Sequence, residues 1–347
     1  MNFKYLGMRI LALALLAAGS AAWAQNVKIT PLGTHPGELC NRDRATIFED
    51  PTGVRILYDA GQSVMGGEDP RLGIIHVVLL THAHGDHIGD RKIAALNAGS
   101  CATPETVPAL PNSTTAEIAA AKNSSLIMIR NMAFFLGRKI QNIRGKPTGN
   151  CAESGGSIAA VQESPCLAPV DLGGTKIVKA AGAASGVEIT TVYAAHDSTL
   201  LTRDLLTDAQ KKLLEPDNIS VSLGVPSGYV IKFTNGLRAY LSGDTGLHSE
   251  MRTVVNEYYR ANLAVFNMRL NAIQPDAAAY AINELVRPAS VIVSHPNEAA
   301  TSDGALRPNS RTKKFIDQVK GRPVYLAISG RTLEFDGSGN CVAGGCK

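Results

Sequence analysis

The chain has 347 residues, of which 45% are hydrophobic, 18% charged and 5% aromatic. These are ordinary proportions that exclude a mainly disordered, collagen-like or coiled-coil protein. A formal charge of +4, from 34 basic and 30 acidic residues with no concentrated Lys/Arg run, argues against nucleic acid or an anionic membrane surface as partner. At the start, Lys4 and Arg9 flank the beginning of the apolar run Ile10–Ala18, and Ala22-Trp23-Ala24 supplies an A-x-A site. Residues 1–24 therefore read as a secretory signal peptide, and the run is too short to span a bilayer. The expected product is a periplasmic or secreted protein, residues 25–347, that leaves the membrane once the signal is cut. All six cysteines, Cys40, Cys101, Cys151, Cys166, Cys341 and Cys346, lie in that part, which suits disulfides in an oxidising compartment. Cys341 and Cys346 are expected to close the tail on themselves. No C-x-x-C pair occurs, so a zinc ribbon or thioredoxin-type site is not expected.

From Val27 to Val64 the pattern is short strands and turns: Val27–Ile29, Ala45–Glu49, and Arg55–Tyr58 ending at Asp59-Ala60-Gly61. Ile74–Leu80 is apolar except for His76 and reads as a buried strand. A helix is expected over Arg91–Leu96. Residues 97–175 hold three of the cysteines and a helical stretch, Thr115–Arg138, and read as an insertion that roofs or flanks a site. Strand signals resume at Lys176–Ala180 and Val187–Ala194, and Leu200–Leu214 has helical spacing. Ile219–Val225, Gly228–Phe233 and Leu237–Leu241 alternate as strands, with Asn235-Gly236 as a hairpin turn. Then come a helix at Glu250–Arg260, a strand at Leu263–Met268, a helix at Pro275–Leu285 and a strand at Ala289–Ser294. A helix at Ser310–Lys320 and a closing strand pair, Pro323–Ser329 with Thr332–Phe335, complete a single α/β domain.

Directly after the apolar strand comes His82-Ala83-His84-Gly85-Asp86-His87. Three imidazoles and a carboxylate within six residues are the donor set of zinc and related divalent ions. A loop after a buried strand lets these side chains diverge toward two points. His196, Asp244 and His295 each follow a further strand, so the four strand ends are expected to converge on one metal site. His76 reads as a hydrogen-bonded structural residue and His35 as a turn residue. His248, four residues after Asp244, is a candidate proton donor to a leaving group. Arg269 is a candidate partner for an anionic substrate group.

On these residues the sequence resembles the metallo-β-lactamase superfamily of dinuclear metallohydrolases. The matching motifs are Thr81–His87, Ala195-His196, Ser242-Gly243-Asp244-Thr245, Ser294-His295 and Leu57–Gly61. The part from Asp276 to Gly330 is similar to the branch containing ascorbate-phosphate lactonases. The resemblance implies an αββα sandwich of two mixed β-sheets flanked by helices. It also implies a first metal on His82, His84 and His196, a second on Asp86, His87 and His295, and Asp244 bridging them. Asp59 would support the ligand loop. Two Zn2+ are the expected ions, with manganese or iron as alternatives. The flavodiiron members carry Glu where His84 stands, so His84 favours hydrolysis over redox chemistry.

The function implied is an exported zinc-dependent hydrolase acting on a small ester or lactone. Water between two divalent ions falls in pKa from near 16 toward about 7, which makes hydroxide available at neutral pH. Asp86 would ligate and also hydrogen-bond that hydroxide, which makes it the principal catalytic candidate. A phosphodiesterase is the nearest alternative, because Ser242–Thr245 also resembles transfer-RNA 3′-processing members. β-Lactam hydrolysis fits the compartment but not the bridging Asp. A non-catalytic metal-binding protein is the alternative from outside enzymes. The partner expected is a small-molecule substrate, with no nucleic acid, and nothing in the sequence specifies the oligomeric state.

Overall fold

The computed structural model of the protein describes residues 25–200 and 203–346; the expected signal peptide, 1–24, lies outside the described residues. Two sheets face each other. The first has eight strands. At its centre Val27–Pro31, Thr46–Glu49 and Arg55–Tyr58 run antiparallel. Val77–Leu79, Ser125–Ile129 and Cys166–Val170 then continue in parallel. On the other side of Val27–Pro31 lie Leu333–Phe335 and Cys341–Gly344. The second sheet has nine strands. Its core is the antiparallel set Val187–Tyr193, Ser227–Lys232 and Arg238–Leu241, followed by parallel Leu263–Asn267, Ser290–Ser294 and Val324–Leu326.

Three apolar layers hold this arrangement together. Between the sheets, Val27, Ile29, Phe48, Ile56 and Val77 meet Ile189, Tyr229, Ile231 and Leu263, and the Phe48 and Phe233 rings stack at 6.1 Å. On the outside of the first sheet, helices Thr114–Lys122 and Arg130–Arg144 bury Ile118, Met132, Leu136 and Ile140. On the outside of the second, the helical segments Met251–Tyr258, Pro275–Tyr280, Ala281–Val286 and Arg311–Ile316 bury Met251, Val255, Ile282 and Phe315. Strands that are apolar on both faces need cover on both sides. The expected αββα sandwich is therefore the observed one.

Several elements differ from their sequence expectation. The single helix expected over Thr115–Arg138 is two helices separated by the strand Ser125–Ile129. The first ends at Asn123, in the left-handed region at φ 52°, and all five strand residues are buried, so no alternation marked them. The segment 97–175, expected as an insertion that roofs or flanks a site, supplies two strands of the first sheet, Ser125–Ile129 and Cys166–Val170, and two edge strands of the second, Glu153–Ser154 and Ser157–Ala159. The expected closing pair is not a pair. Val324–Leu326 joins the second sheet and Leu333–Phe335 the first, because the chain crosses the sandwich between them. Ile219–Val225 is no strand; Ile219 and Val225 are exposed, and only Ser222 bridges to Thr199. Arg91–Lys92 pairs with Val107–Pro108 instead of starting a helix.

The three disulfides are Cys40–Cys101, Cys151–Cys166 and Cys341–Cys346. The last is the expected tail closure. Among the described residues, no helix is long and apolar enough to cross a membrane.

Candidate metal centre

Four strands deliver the expected ligands to one edge of the sandwich. Val77–Leu79 leads into His82 and His84 in extended backbone. His84 then caps the one-turn helix Gly85–Ile88, which carries Asp86 and His87. The motif is thus half extended and half helical. The turn of helix carries Asp86 and His87 into a second donor group, with the His87 ring still 4.2 Å from that of His82. Gly89 ends it in the left-handed region at φ 77°, where a Cβ would strike Thr114 Oγ1 and the Gly61 carbonyl. Asp244 follows Gly243, whose φ of 59° and closeness to the Ser227 carbonyl also exclude a side chain. His295 itself has a φ of 52°. Backbone strain of this kind, outside glycine, is characteristic of functional sites.

The donors fall into two groups, His82–His84–His196–Asp244 and Asp86–His87–His295, with the ligand atoms of each group within 4.8 Å of one another. In the first, His84 Nδ1 lies 3.0 Å from His82 Nε2 and 3.2 Å from His196 Nε2. Asp244 Oδ2 lies 3.9 Å and 3.7 Å from those two Nε2 atoms. In the second, His295 Nε2 lies 3.1 Å from His87 Nε2 and 3.3 Å from Asp86 Oδ2. The other oxygen of Asp244, Oδ1, lies 3.2 Å from His295 Nε2 and 3.3 Å from His87 Nε2. Tetrahedral zinc with ligands at about 2.0–2.1 Å separates them by about 3.3 Å, so both groups have the spacing of a metal shell. Asp244 turns one oxygen to each.

Outer contacts fix the imidazoles. His87 Nδ1 donates to Asp59 Oδ2 at 2.7 Å, which also accepts from Thr81 Oγ1, while Asp59 Oδ1 accepts from Thr81 N. The Asp59 expectation is therefore met in geometry. His84 Nε2 donates to Asp197 Oδ1 at 2.9 Å, which leaves Nδ1 facing the first group. Such contacts set the tautomer and orientation of ligating histidines. Sequence reasoning missed Asp197, although it adjoins His196, and missed Arg44, whose Nη2 lies 3.0 Å from Asp86 Oδ2.

Electrostatics suit a cation. Burial, followed by the neighbouring His87, holds His82 well below its usual value. Burial and then Arg44 push His295 down to about 4, and burial lowers His196. These rings are neutral, as ligands must be. Burial also disfavours charge on His87, but Asp244, Asp59 and Asp86 outweigh it and raise the ring to about 10. Against the upward pull of burial, the surrounding histidines hold Asp86 and Asp244 well below the carboxylate range. Both oxygens of buried Asp244 lack an aligned hydrogen-bond donor, although Arg269 Nε stands 2.8 Å from Oδ2 as an ion-pair partner. The two groups of imidazole and carboxylate donors that meet at Asp244 are the set that divalent ions take, so the residues present fit two divalent ions.

The remaining candidates separate. Arg269 belongs to the site through Asp244. His248 is not among the grouped donors; it packs edge-on against Tyr193, and neither ring nitrogen has a hydrogen-bond partner. Burial pushes it down to about 4. His35 bonds to Thr34 and the Gly99 carbonyl as a turn residue, and His76 accepts from the Arg55 backbone as a structural one.

No protein-family model matches the chain. It is similar to a UPF0173 metal-dependent hydrolase of Polynucleobacter asymbioticus, 34% identical over 153 residues, covering 43% of this chain and 48% of that one. It is also similar to a UPF0173 metal-dependent hydrolase of Cupriavidus taiwanensis, 26% identical over 236 residues, 68% of this chain and 63% of the other. The chain thus spans about half to two thirds of the length of these relatives. Among solved structures, a metallo hydrolase of Ignicoccus hospitalis superposes with a TM-score of 0.53 at 21% identity, over 90% of this chain and 99% of that one. With its two facing mixed sheets, its flanking helices and its ligands at the strand ends, the chain has the metallo-β-lactamase fold.

Proposed function

We propose that the protein is an exported, metal-dependent hydrolase with a dinuclear zinc centre, acting on a small ester or lactone. The observation that carries the reading is Asp244, whose two oxygens face two separate donor groups. The names of its relatives, metal-dependent hydrolases, support the reaction class. His82, His84 and His196 would hold one ion, and Asp86, His87 and His295 the other, with Asp244 shared. Two such ions, when bound, supply an activated water and a Lewis acid that polarises a carbonyl.

The chain's own groups do the positioning. Asp59 and Asp197 hold the Nδ1 proton of His87 and the Nε2 proton of His84, so that the opposite nitrogens face inward. Arg44, almost wholly buried, keeps Asp86 Oδ2 aimed at the second group. Asp86 is more exposed than the other carboxylate, which leaves it able to accept a hydrogen from the attacking water. His248 receives no acid role, because a ring titrating near 4 has no proton to donate at neutral pH. A carboxylate shared between the groups argues against β-lactam turnover and leaves phosphodiesters as the second substrate class to test.

Export is supported by three disulfides, bonds that persist in oxidising compartments. One experiment addresses the core of the reading: metal content per chain, followed by a zinc-supplemented panel of lactone, aryl ester, bis-aryl phosphodiester, thioester and β-lactam. Two metals with turnover of the lactone or ester is the expected result. Fewer than one metal after zinc addition overturns it.

A further inference from the structure

A cavity of about 350 Å³ opens beside the second donor group, lined by the side chains of Asn41, Arg42, Arg44, Gln62, Asp86, Asp90 and Asn297. That is the size of a small-molecule site, yet every one of these side chains is polar. Most of their polar atoms are already engaged. Arg44 gives its Nη atoms to Asp86 and to the carbonyls of Asn41 and Asp43, and its Nε is buried without a partner. Gln62 accepts from Arg42 Nη1 and donates to Asp90 Oδ1 at 2.6 Å. Asn41 donates its amide to the Ala102 carbonyl.

Two donors remain. Among the described residues, Arg42 has no ion pair with a carboxylate; its one side-chain hydrogen bond goes to neutral Gln62. Asn297 uses its carbonyl oxygen to accept from Leu270 N at 3.2 Å, and its amide hydrogens have no protein acceptor among the described residues. Its φ of 53° lies in the left-handed region that Asn tolerates, two residues after His295.

The loop that carries Arg42 is rigid. Cys40 is tied to Cys101, and buried Asp43 accepts from the backbone of Thr34 and Cys40 at 2.8 Å each. A site whose supporting residues are locked in this way is preorganised for a particular group.

We propose that this pocket recognises an oxyanion, a carboxylate or phosphate carried by the substrate, with Arg42 and Asn297 as the specificity-determining donors. The role as a substrate pocket rests on the hydrolase reading above. Guanidinium and amide hydrogens match oxyanion acceptors, and charge-assisted bonds of this type are the strong ones. The substrate class is then a small ester or lactone that bears an acidic group away from the scissile bond.

The test uses the zinc-loaded full chain and two near-isosteric esters, mono-4-nitrophenyl succinate and 4-nitrophenyl butyrate. Expected is a preference for the succinate ester, and a fall of about tenfold or more in the succinate-to-butyrate ratio of kcat/KM in Arg42→Met, expressed mainly in KM. Asn297→Asp keeps the backbone preference but turns donors into acceptors, and lowers the same ratio. Calorimetric binding of succinate and of inorganic phosphate to wild type and Arg42→Met tells which oxyanion the pocket takes. An unchanged ester ratio in both variants overturns the proposal. So does equal binding of both anions by wild type and Arg42→Met, since the anion then sits on the metals. A chain that hydrolyses neither ester but loses succinate or phosphate binding in Arg42→Met keeps the oxyanion site and sinks the ester or lactone reading instead.

Discussion

Replacing Asp59 by Asn probes the support of the metal centre at a single atom. Asp59 has a φ of 40°, a conformation that Asn tolerates well, so the backbone need not move. The wild-type carboxylate accepts three hydrogen bonds, from His87 Nδ1 at 2.7 Å, Thr81 Oγ1 at 2.9 Å and Thr81 N at 3.0 Å. An amide has only one oxygen. If that oxygen stays on Thr81 N, the amide hydrogens meet His87 Nδ1, and the ring must become an acceptor there. Its proton then moves to Nε2, the atom that faces His295 and Asp244, and a protonated Nε2 cannot bind a metal. Loss of such an orienting partner costs about 10- to 100-fold in metal affinity, or about 1.4–2.7 kcal/mol. The loss should fall on the Asp86–His87–His295 group and spare the other. Zinc titration against a chromogenic chelator, with metal counted per chain, should show two tight ions in wild type and one tight and one weakened in Asp59→Asn. Two ions bound with unchanged affinity by a folded Asp59→Asn protein would refute the orienting role.

Other outcomes follow from the same geometry. Asp244→Ala should stay folded by circular dichroism yet lose the second metal and most hydrolysis; two metals and full turnover would remove the bridging assignment. Thiol titration of the unfolded, unreduced protein should find no free cysteine among the six. Opening Cys40–Cys101 and Cys151–Cys166, which span 61 and 15 residues, should cost about 4 and 3 kcal/mol in the chain-entropy account; an unchanged melting temperature after reduction contradicts this. Burial lifts Asp43 from 3.8 to about 6, so the fold favours its protonated form. Its contribution is complete below about pH 4 and lost as pH rises through 6. Wild type should therefore gain up to about 3 kcal/mol over Asp43→Asn on acidification across that window, and a stability difference that stays flat from pH 7 to 4 rules it out. Phe48→Ala, which empties a fully buried ring site against Phe233, should cost about 3–5 kcal/mol in denaturant unfolding.

The metal ligands were legible because their signal is local. His82 to His87 combine residue type and spacing within one short stretch, and His196, Asp244 and His295 each sit just past an apolar run. What decides the rest is contact between distant segments, which leaves no spacing. Arg44 approaches Asp86 across 42 residues of chain, and Asp197 reaches His84 across 113. The strand Ser125–Ile129 was invisible as a strand because it is covered on both faces, and a fully buried strand loses the alternation that identifies it. Pro323–Ser329 and Thr332–Phe335 look like a hairpin by proximity. Nothing in either segment reveals that each has a partner in a different sheet.

The position of Leu333–Phe335 bears on how the molecule assembles. Its neighbour, Val27–Pro31, lies far earlier in the sequence, and the two pair in register over Val27↔Phe335 to Ile29↔Leu333. Until the far end of the chain arrives, one rim of that early strand offers bare N–H and C=O groups, a template for wrong pairing. Joining partners so remote in sequence is slow. Assembly of the first sheet therefore waits until two segments far apart in the sequence have met. Until then the unfinished sheet carries an unpaired rim.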